Sequence, residues 1–255
     1  MRNLLFKAAF DGSVFHGWQQ QENAVTVQGE LRRAWQELTG ENPNIIGCSR
    51  TDAGVHANEY YFSVKTESTV PCEKFPIALS STGLPGEIAL YSCCEVDADF
   101  NARFNCVKKE YKYVIENTPV HSPFLYKRAY NCPYEMNEKL MNDAAQFFLG
   151  EHDFSAFCAS GAEVLSKVRE IYSASVERVG DTVEFKVCGN GFLYNMVRIM
   201  AGTLIYVNNG KIPADSFPEI IESKDRTRAG ITAPPDGLYL NKVYYGGDIL
   251  NENKI

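Results

Sequence analysis

The feature of this sequence that most restricts its fold is the alternation of apolar side chains at period two in short segments. Residues 4–10 and 59–65 both show it, and a pattern of this period predicts strands with one face against a core. Between them, Thr26 is expected to begin a helix that Gly40 ends, because threonine accepts from free amides and glycine adopts the left-handed conformation. A weaker helix is predicted at 73–81 and a strand at 87–94.

The later part of the chain repeats this combination of strands and helices. Helices are predicted at 137–149, 193–207 and 213–223, with a loop at 150–157. Strands are predicted at 111–115, 168–176, 182–187 and 238–245, and the second and third pair across the turn at Gly180–Asp181. Each part thus resembles the split β-α-β unit. The predicted class is α+β, with helices covering one face of a largely antiparallel sheet.

A linker-like segment at 99–104 suggests two domains. We expect an N-terminal half over residues 1–104, a C-terminal half over residues 105–247, and a tail over residues 248–255. A chain of 255 residues has enough material for one large or two small domains.

Residues 47–57, G-C-S-R-T-D-A-G-V-H-A, form a loop between two predicted strands and are the first candidate site. Arg50 and Asp52 are separated by one residue, and Gly54 follows. A neighbouring guanidinium favours the ionised carboxylate, and an ionised aspartate can act as a nucleophile or as an electrostatic anchor. An Asx-type turn explains the same residues without any chemistry. The residues alone leave both interpretations open.

Arg198 is the second candidate, because it interrupts a predicted helix that is apolar nearly all round. A buried guanidinium needs an anionic partner, since a stranded charge is strongly destabilising. Either the side chain extends to the surface, or a carboxylate or phosphate binds it. We predict a contact with Asp52.

The charge distribution points to an anionic partner. The net charge of −7 argues against nucleic acid, but residues 101–130 contain six basic and two acidic residues, a local charge of +4. A basic stretch interleaved with aromatic rings suits a nucleic acid, although a strand with a solvated face has the same composition. The basic residues are Arg103, Lys108, Lys109, Lys112, Lys127 and Arg128; the aromatic residues are Phe104, Tyr111, Tyr113, Phe124, Tyr126 and Tyr130.

Several classes of site and location are not expected. None of the eight cysteines forms a C-x-x-C pair, so we expect reduced, half-buried thiols and no zinc. Gly189 and Gly191 lack the third glycine of a dinucleotide-binding loop. No apolar run approaches the roughly 18 residues of a membrane span, and Lys7 interrupts the apolar start of the chain, unlike a signal peptide. We expect a cytoplasmic protein.

Nine stretches carry a family resemblance, in the family's order from Phe10 to Leu240. They are F-D-G-S-V-F-H-G-W-Q, T-V-Q-G-E-L, S-R-T-D-A-G-V-H-A, F-N-A-R-F, K-E-Y-K-Y-V-I, G-E-H-D-F-S-A-F, F-L-Y-N-M-V-R, D-R-T-R-A-G and T-A-P-P-D-G-L-Y-L. They resemble those of the TruA family of tRNA pseudouridine synthases. Two positions depart from it: Ser49 stands where the family usually has glycine, and Asn101 where histidine is common.

The resemblance implies a function and roles for four residues. The family isomerises uridine in the anticodon stem-loop of tRNA (positions 38 to 40), breaking the N-glycosidic bond, rotating the base and rejoining it through carbon, without a cofactor. It implies that Asp52 is the nucleophile, attacking either C1′ or C6. Tyr111 would stack on the flipped-out uracil and could move a proton. Arg198 would orient Asp52 and keep it ionised, and Arg50 would contact the flipped nucleotide.

The resemblance also implies an architecture: two ferredoxin-like halves side by side, with merging sheets and the cleft of a pseudouridine synthase fold between them. It implies a homodimer, with tRNA bound in a groove to which we assign Arg103, Lys108, Lys109 and Lys112.

Two other functions are alternatives to this one. A non-catalytic RNA-binding or RNA-folding module on the same scaffold would keep its activity without Asp52. A glycoside hydrolase needs two carboxyl groups roughly 5–10 Å apart, and only Asp11 and Asp153 could supply the second. His16, His56 and His152 are expected to brace loops rather than to catalyse.

Overall fold

The computed structural model describes residues 1–161 and 164–246. The described residues divide into two compact units, the first formed by residues 1–107 together with 240–246, the second by the described part of Lys108–Tyr239. No helix in these described ranges is long and apolar enough to cross a bilayer.

The described residues form ten strands and five α-helices, joined by short 3-10 turns. The strands are β1 (Arg2–Phe10), β2 (Ile45–Gly47), β3 (His56–Thr66), β4 (Ile88–Val96), β5 (Cys106–Glu116), β6 (Tyr130–Asn131), β7 (Gly150–Asp153), β8 (Val168–Val179), β9 (Thr182–Gly189) and β10 (Leu238–Tyr245). The helices are α1 (Val27–Thr39), α2 (Phe75–Ser80), α3 (Glu138–Ala145), α4 (Met196–Asn208) and α5 (Phe217–Ser223).

The first unit has the β-α-β-β-α-β order of a ferredoxin-like fold. Four of its strands lie in the order β4-β1-β3-β2, and each neighbouring pair of these four is antiparallel. Phe6 of β1 stacks on Phe62 of β3 with ring centroids 4.8 Å apart. Trp35 of α1 and Phe75 of α2 both meet Phe6 edge-on, so both helices cover the same face of this sheet.

The other face of β3 is also buried, which the alternation at 59–65 did not predict. Tyr61 and Ser63 are as buried as Tyr60 and Phe62. The Tyr61 ring meets that of Tyr245 edge-on, and the Ser63 hydroxyl accepts from the Ala102 amide at 3.1 Å. Residues far apart in sequence therefore cover a face that the local pattern marks as polar.

In the second unit, β5, β9, β8 and β7 are neighbours in that order, and each pair is antiparallel. The short β6 pairs with β5 in parallel. Phe148 meets Phe157, Phe217 and Phe185 at the centre of the core. Helix α4 is buried along almost its whole length, as its apolar sequence indicates.

The α+β class with mostly antiparallel strands is confirmed, and so are several element boundaries. Thr26 begins α1 by accepting from the Gly29 amide at 3.2 Å, and Gly40 ends it in the left-handed conformation. β8 and β9 form the predicted hairpin, and β10 has the predicted bounds.

Other boundaries were wrong. The helix predicted at 137–149 ends at Ala145 and continues as a 3-10 turn, and the helices predicted from residues 73, 193 and 213 begin at Phe75, Met196 and Phe217. The loop predicted at 150–157 contains β7 and a 3-10 turn, because β7 pairs with the start of β8, a contact that the local sequence does not reveal.

The division into units differs in detail from the expected halves. The boundary falls after Val107 rather than after residue 104, and residues 240–246 group with the first unit. Glu59 accepts from the Val243 amide at 3.1 Å, and the Tyr245 hydroxyl donates to the Ala102 carbonyl at 2.6 Å. These contacts explain the grouping. The tail expected at 248–255 lies outside the described residues.

Candidate active site

Asp52 lies in the first unit, on the loop that joins β2 to β3. The Asp52 side chain is half-buried, Arg50 is exposed and Thr51 is buried. The Val55 amide donates to the Asp52 carbonyl at 3.2 Å, so the chain turns tightly after the aspartate. Arg50 and Asp52 therefore lie on either side of Thr51, which is buried in the protein.

A second loop, residues 11–18, holds the aspartate loop through its backbone. The Trp18 amide donates to the Thr51 carbonyl at 3.1 Å, and the Gly54 amide donates to the Phe15 carbonyl at 3.1 Å. These bonds lie on both sides of Asp52. Its backbone is thus fixed by two bonds to a different part of the chain, which suits a group that must meet a substrate in one geometry.

Two glycines allow this close approach. A Cβ atom on Gly12 would lie 1.9 Å from the Val55 carbonyl oxygen, and one on Gly17 would lie 2.5 Å from the Thr51 carbonyl oxygen. Gly17 also has a φ of +87°, which favours glycine. The F-D-G-S-V-F-H-G-W stretch is therefore shaped to lie against the aspartate loop.

His56 and Trp18 complete this scaffold. The buried His56 ring has its Nδ1 3.0 Å from the Gly12 amide and 3.1 Å from Asp11 Oδ1. The Trp18 ring stacks on Tyr60 at 4.3 Å, and the Tyr60 hydroxyl donates to the Ser49 carbonyl. In the second unit, Nε2 of His152 lies 2.8 Å from the Leu149 carbonyl oxygen.

Tyr111 lies in the second unit, on β5, opposite Val187 of β9. Its side chain is 7% exposed. The ring meets Phe192 edge-on with centroids 5.0 Å apart. The aromatic contact orients the ring, so its faces have a defined direction.

Arg198 lies in the first turn of α4 and is half-buried. Its Nε donates to the Ala233 carbonyl at 2.7 Å and its Nη1 donates to Asn195 Oδ1 at 2.8 Å. The guanidinium is therefore held by oriented acceptors rather than extended freely into solvent. Burial raises the pKa of the nearby Tyr113 phenol, and the positive charge of Arg198 opposes that rise.

The four basic residues assigned to RNA have different surroundings. Arg103 is exposed in the first unit, beside the Phe104 ring. Lys108 and Lys109 are half-buried on β5. Lys112 Nζ lies 3.1 Å from Glu184 Oε1 and 5.7 Å from the centroid of the Tyr239 ring, so part of its charge is already neutralised.

Comparison with known proteins identifies the family. A tRNA pseudouridine synthase A of Thermoanaerobacter sp. (strain X514) is 46% identical over 245 residues, which is 96% of this chain and 100% of that protein. The corresponding values are 47% over 245 residues for the synthase A of Acetivibrio thermocellus and 43% over 245 for that of Brevibacillus brevis, with the same coverage. The chain belongs to the TruA family of tRNA pseudouridine synthases. A family model described as tRNA pseudouridine synthase matches residues 144–246.

Membership of the TruA family confirms the resemblance that the nine stretches carry. In the first unit, the family motifs supply the aspartate loop and the loop that holds it. In the second, they supply β5 with Tyr111 and the start of α4 with Arg198.

Sequence reasoning did not single out Asn195 or Ala233, which hold Arg198. Asn195 precedes α4 in the left-handed conformation, with a φ of 59°. Asparagine is one of the few residues other than glycine that adopt this conformation. The sequence signal for the contact was that Asn195 lies three residues before Arg198. Ala233 lies 35 residues beyond Arg198, and no local pattern marks it.

The described residues contain no cluster of three or more His, Cys, Asp or Glu side chains that could hold a metal ion. The eight cysteines all lie within the described ranges and form no disulfide there.

Proposed function

We propose that this chain isomerises uridine to pseudouridine in the anticodon stem-loop of tRNA, with Asp52 as the nucleophile. Family membership supports the reaction class, which makes the chain an isomerase. The observation that carries the assignment of Asp52 is its fixed loop, with backbone bonds from Trp18 and to Phe15 on either side of the aspartate. This fixation holds the carboxylate in one geometry relative to a substrate.

The reaction begins with a uridine that leaves its stack, because a paired and stacked base cannot be reached. Tyr111 offers the face of an oriented ring on which the uracil stacks. Arg50, exposed on the aspartate loop, contacts the phosphate of the flipped nucleotide and keeps it out of the helix.

Asp52 then attacks either C1′ of the ribose or C6 of the base, and the N1–C1′ bond breaks. The uracil turns so that C5 faces C1′ and a C5–C1′ bond forms. The bond between the Asp52 carboxylate and C1′ or C6 breaks, with its electron pair returning to the carboxylate, which regenerates the free aspartate. C5 loses its hydrogen as a proton, and N1 gains one. No atom or electron is gained overall, so the reaction needs no redox partner.

Arg198 is assigned as the positioning residue of Asp52. Its guanidinium is oriented by Asn195 and Ala233, and the planar fork of arginine suits a carboxylate. Paired with Asp52, it would keep the carboxylate ionised and aimed at the substrate.

Arg103, Lys108, Lys109 and Lys112 are assigned to the RNA backbone, with Lys112 contributing least because Glu184 already binds it. A homodimer acting in the cytoplasm belongs to the same proposal, since two copies of this basic stretch would line one groove while the acidic remainder of each chain faces solvent.

A tritium-release assay on tRNA labelled at uracil C5 tests the proposal. The wild-type protein should release tritium into water, and Asp52→Asn should release none while it binds tRNA with unchanged affinity. Asp143→Asn, which alters an exposed aspartate of α3, is the control and should act as wild type.

Tritium release by Asp52→Asn would refute the role of Asp52. Binding without release by the wild-type protein would point instead to an RNA-binding module.

A further inference from the structure

One aromatic and basic segment has no role in the proposed reaction: residues 121–128, H-S-P-F-L-Y-K-R, which follow β5 in the second unit. We name it the 121–128 loop. Phe124 is 83% exposed and Tyr126 61% exposed, and Lys127 and Arg128 are exposed as well. The loop thus displays two rings and two cations on one short segment.

The backbone of this loop is well ordered by hydrogen bonds. Glu116, 2% exposed at the end of β5, accepts from the Ser122 amide at 2.8 Å and bonds His121 Nδ1. The Leu125 carbonyl accepts from the Arg128 amide at 2.8 Å, and the Arg128 carbonyl accepts from the Tyr239 hydroxyl at 2.6 Å. Because the backbone is fixed, Phe124 and Tyr126 are held at defined positions, unlike the side chains of a flexible linker.

The charge of the loop selects the partner. It contains no acidic residue, and Lys127 Nζ lies 5.9 Å from the centroid of the Tyr126 ring. Aromatic rings beside cations are the combination that binds single-stranded nucleic acid, because bases stack on the rings and phosphates meet the cations. The chain as a whole carries a net charge of −7, so an anionic partner is repelled elsewhere and attracted to the cationic 121–128 loop.

We propose that the 121–128 loop is a second RNA contact, at which an unpaired base of the tRNA stacks on Phe124 and neighbouring phosphates pair with Lys127 and Arg128. The proposal rests on the proposed function, since it assumes that tRNA is the substrate.

The base bound here is not the uridine that reacts. Tyr111 and Glu116 are five residues apart on β5, which is roughly 17 Å in a strand. A distance of this size corresponds to about five stacked nucleotides. The loop therefore contributes affinity and substrate choice and leaves the chemical step unchanged.

Phe124→Ala tests the stacking contact. We expect its Kd for tRNA to rise about 10-fold, within the range that loss of a stacking ring gives, while the single-turnover rate at saturating tRNA stays that of the wild type. Phe124→Trp keeps a stacking surface and should retain wild-type affinity. Tyr134→Ala, which removes a ring 71% exposed beside Glu135 in the same unit, is the matched control and should bind normally.

Lys127→Asn tests the phosphate contact. Lys127 has a φ of 57°, which asparagine tolerates, so the charge is removed with the loop conformation preserved. The slope of log Kd against log salt should fall by about one unit. Unchanged affinity for Phe124→Ala, with wild-type turnover intact, would overturn the inference.

A change of oligomeric mass in Phe124→Ala, without a change in tRNA affinity, would overturn it as well, since the ring would then face a second copy. Failure of the proposed function has a different signature, because the wild-type protein would then release no tritium at all.

Discussion

Arg198 and Ala233 are hydrogen-bonded to each other in both directions: the Arg198 side-chain Nε donates to the Ala233 carbonyl at 2.7 Å, and the Ala233 amide donates to the Arg198 carbonyl at 3.1 Å. The arginine is thus fixed at its backbone and at its side chain by the same residue. With Asn195 on Nη1, this pair sets the plane of the guanidinium before any substrate binds.

A double-mutant cycle tests whether this oriented guanidinium meets Asp52. We compare the free energies of unfolding in urea of Asp52→Asn, Arg198→Gln and the double variant. Residues in contact show a coupling energy of about 0.5–3 kcal/mol. We expect a value in this range because each single change leaves the charge of the other residue without its partner. Additive effects of the two changes would exclude the contact.

Tyr111 combines a ring that can stack and a phenol that can move a proton, and two substitutions separate them. Tyr111→Phe keeps the ring, so tRNA affinity should be unchanged, whereas loss of a proton-transfer group should slow tritium release about 100-fold or more. Tyr111→Leu should lose the stacking as well and weaken binding. A Tyr111→Phe variant with the wild-type rate would restrict the role of Tyr111 to stacking.

The sequence predicted most where the cause of structure is local. Thr26 and Gly40 mark the ends of α1 because capping involves neighbours in sequence. The Gly180–Asp181 turn marks the β8–β9 hairpin for the same reason. The loop with Asp52 could be selected as a candidate site because an arginine two residues away and nearby glycines form a compact motif, although the same residues fit an Asx-type turn.

The remaining features depend on contacts between distant residues. The sequence predicts a loop where β7 lies, because the pairing of β7 with β8 does not appear in its own residues. The predicted start of α4 is too early because Leu193 extends the apolar pattern of the helix, whereas Asn195 adopts a positive φ just before the helix begins. The bonds that fix Asp52 come from residues 15 and 18, and no periodicity connects them to the aspartate loop.

The close approach of the two loops gives a third prediction. Gly12→Ala places a Cβ 1.9 Å from the Val55 carbonyl oxygen, so the backbone must shift, and we expect a loss of about 1–3 kcal/mol in unfolding free energy and slower tritium release. Gly86→Ala is the control, because nothing lies within 4 Å of its Cβ position. It should be neutral or slightly stabilising. Equal stability of the two variants would show that the Gly12 backbone is not packed against the Val55 carbonyl.

Glu116, which fixes the 121–128 loop, gives a fourth prediction, for the effect of pH. Burial alone would raise the pKa of its carboxyl group, but the Ser122 amide and His121 outweigh burial and lower the pKa below the ordinary 4.5. A lowered pKa in the folded state stabilises the fold fully above the unfolded value, and this contribution is lost as the pH falls through the folded pKa. Glu116→Gln should therefore unfold at less urea than the wild type at pH 7.

This difference should shrink as the pH falls below 4.5 and vanish once the pH lies below the folded-state pKa of Glu116. Glu135→Gln, at an exposed carboxylate of the same unit, should match the wild type at pH 7 and in acid. A Glu116→Gln deficit that persists undiminished in acid would show that the carboxylate stabilises the loop through packing rather than through its charge. Tritium release by Glu116→Gln at saturating tRNA should stay at the wild-type rate, because the 121–128 loop takes no part in the chemical step.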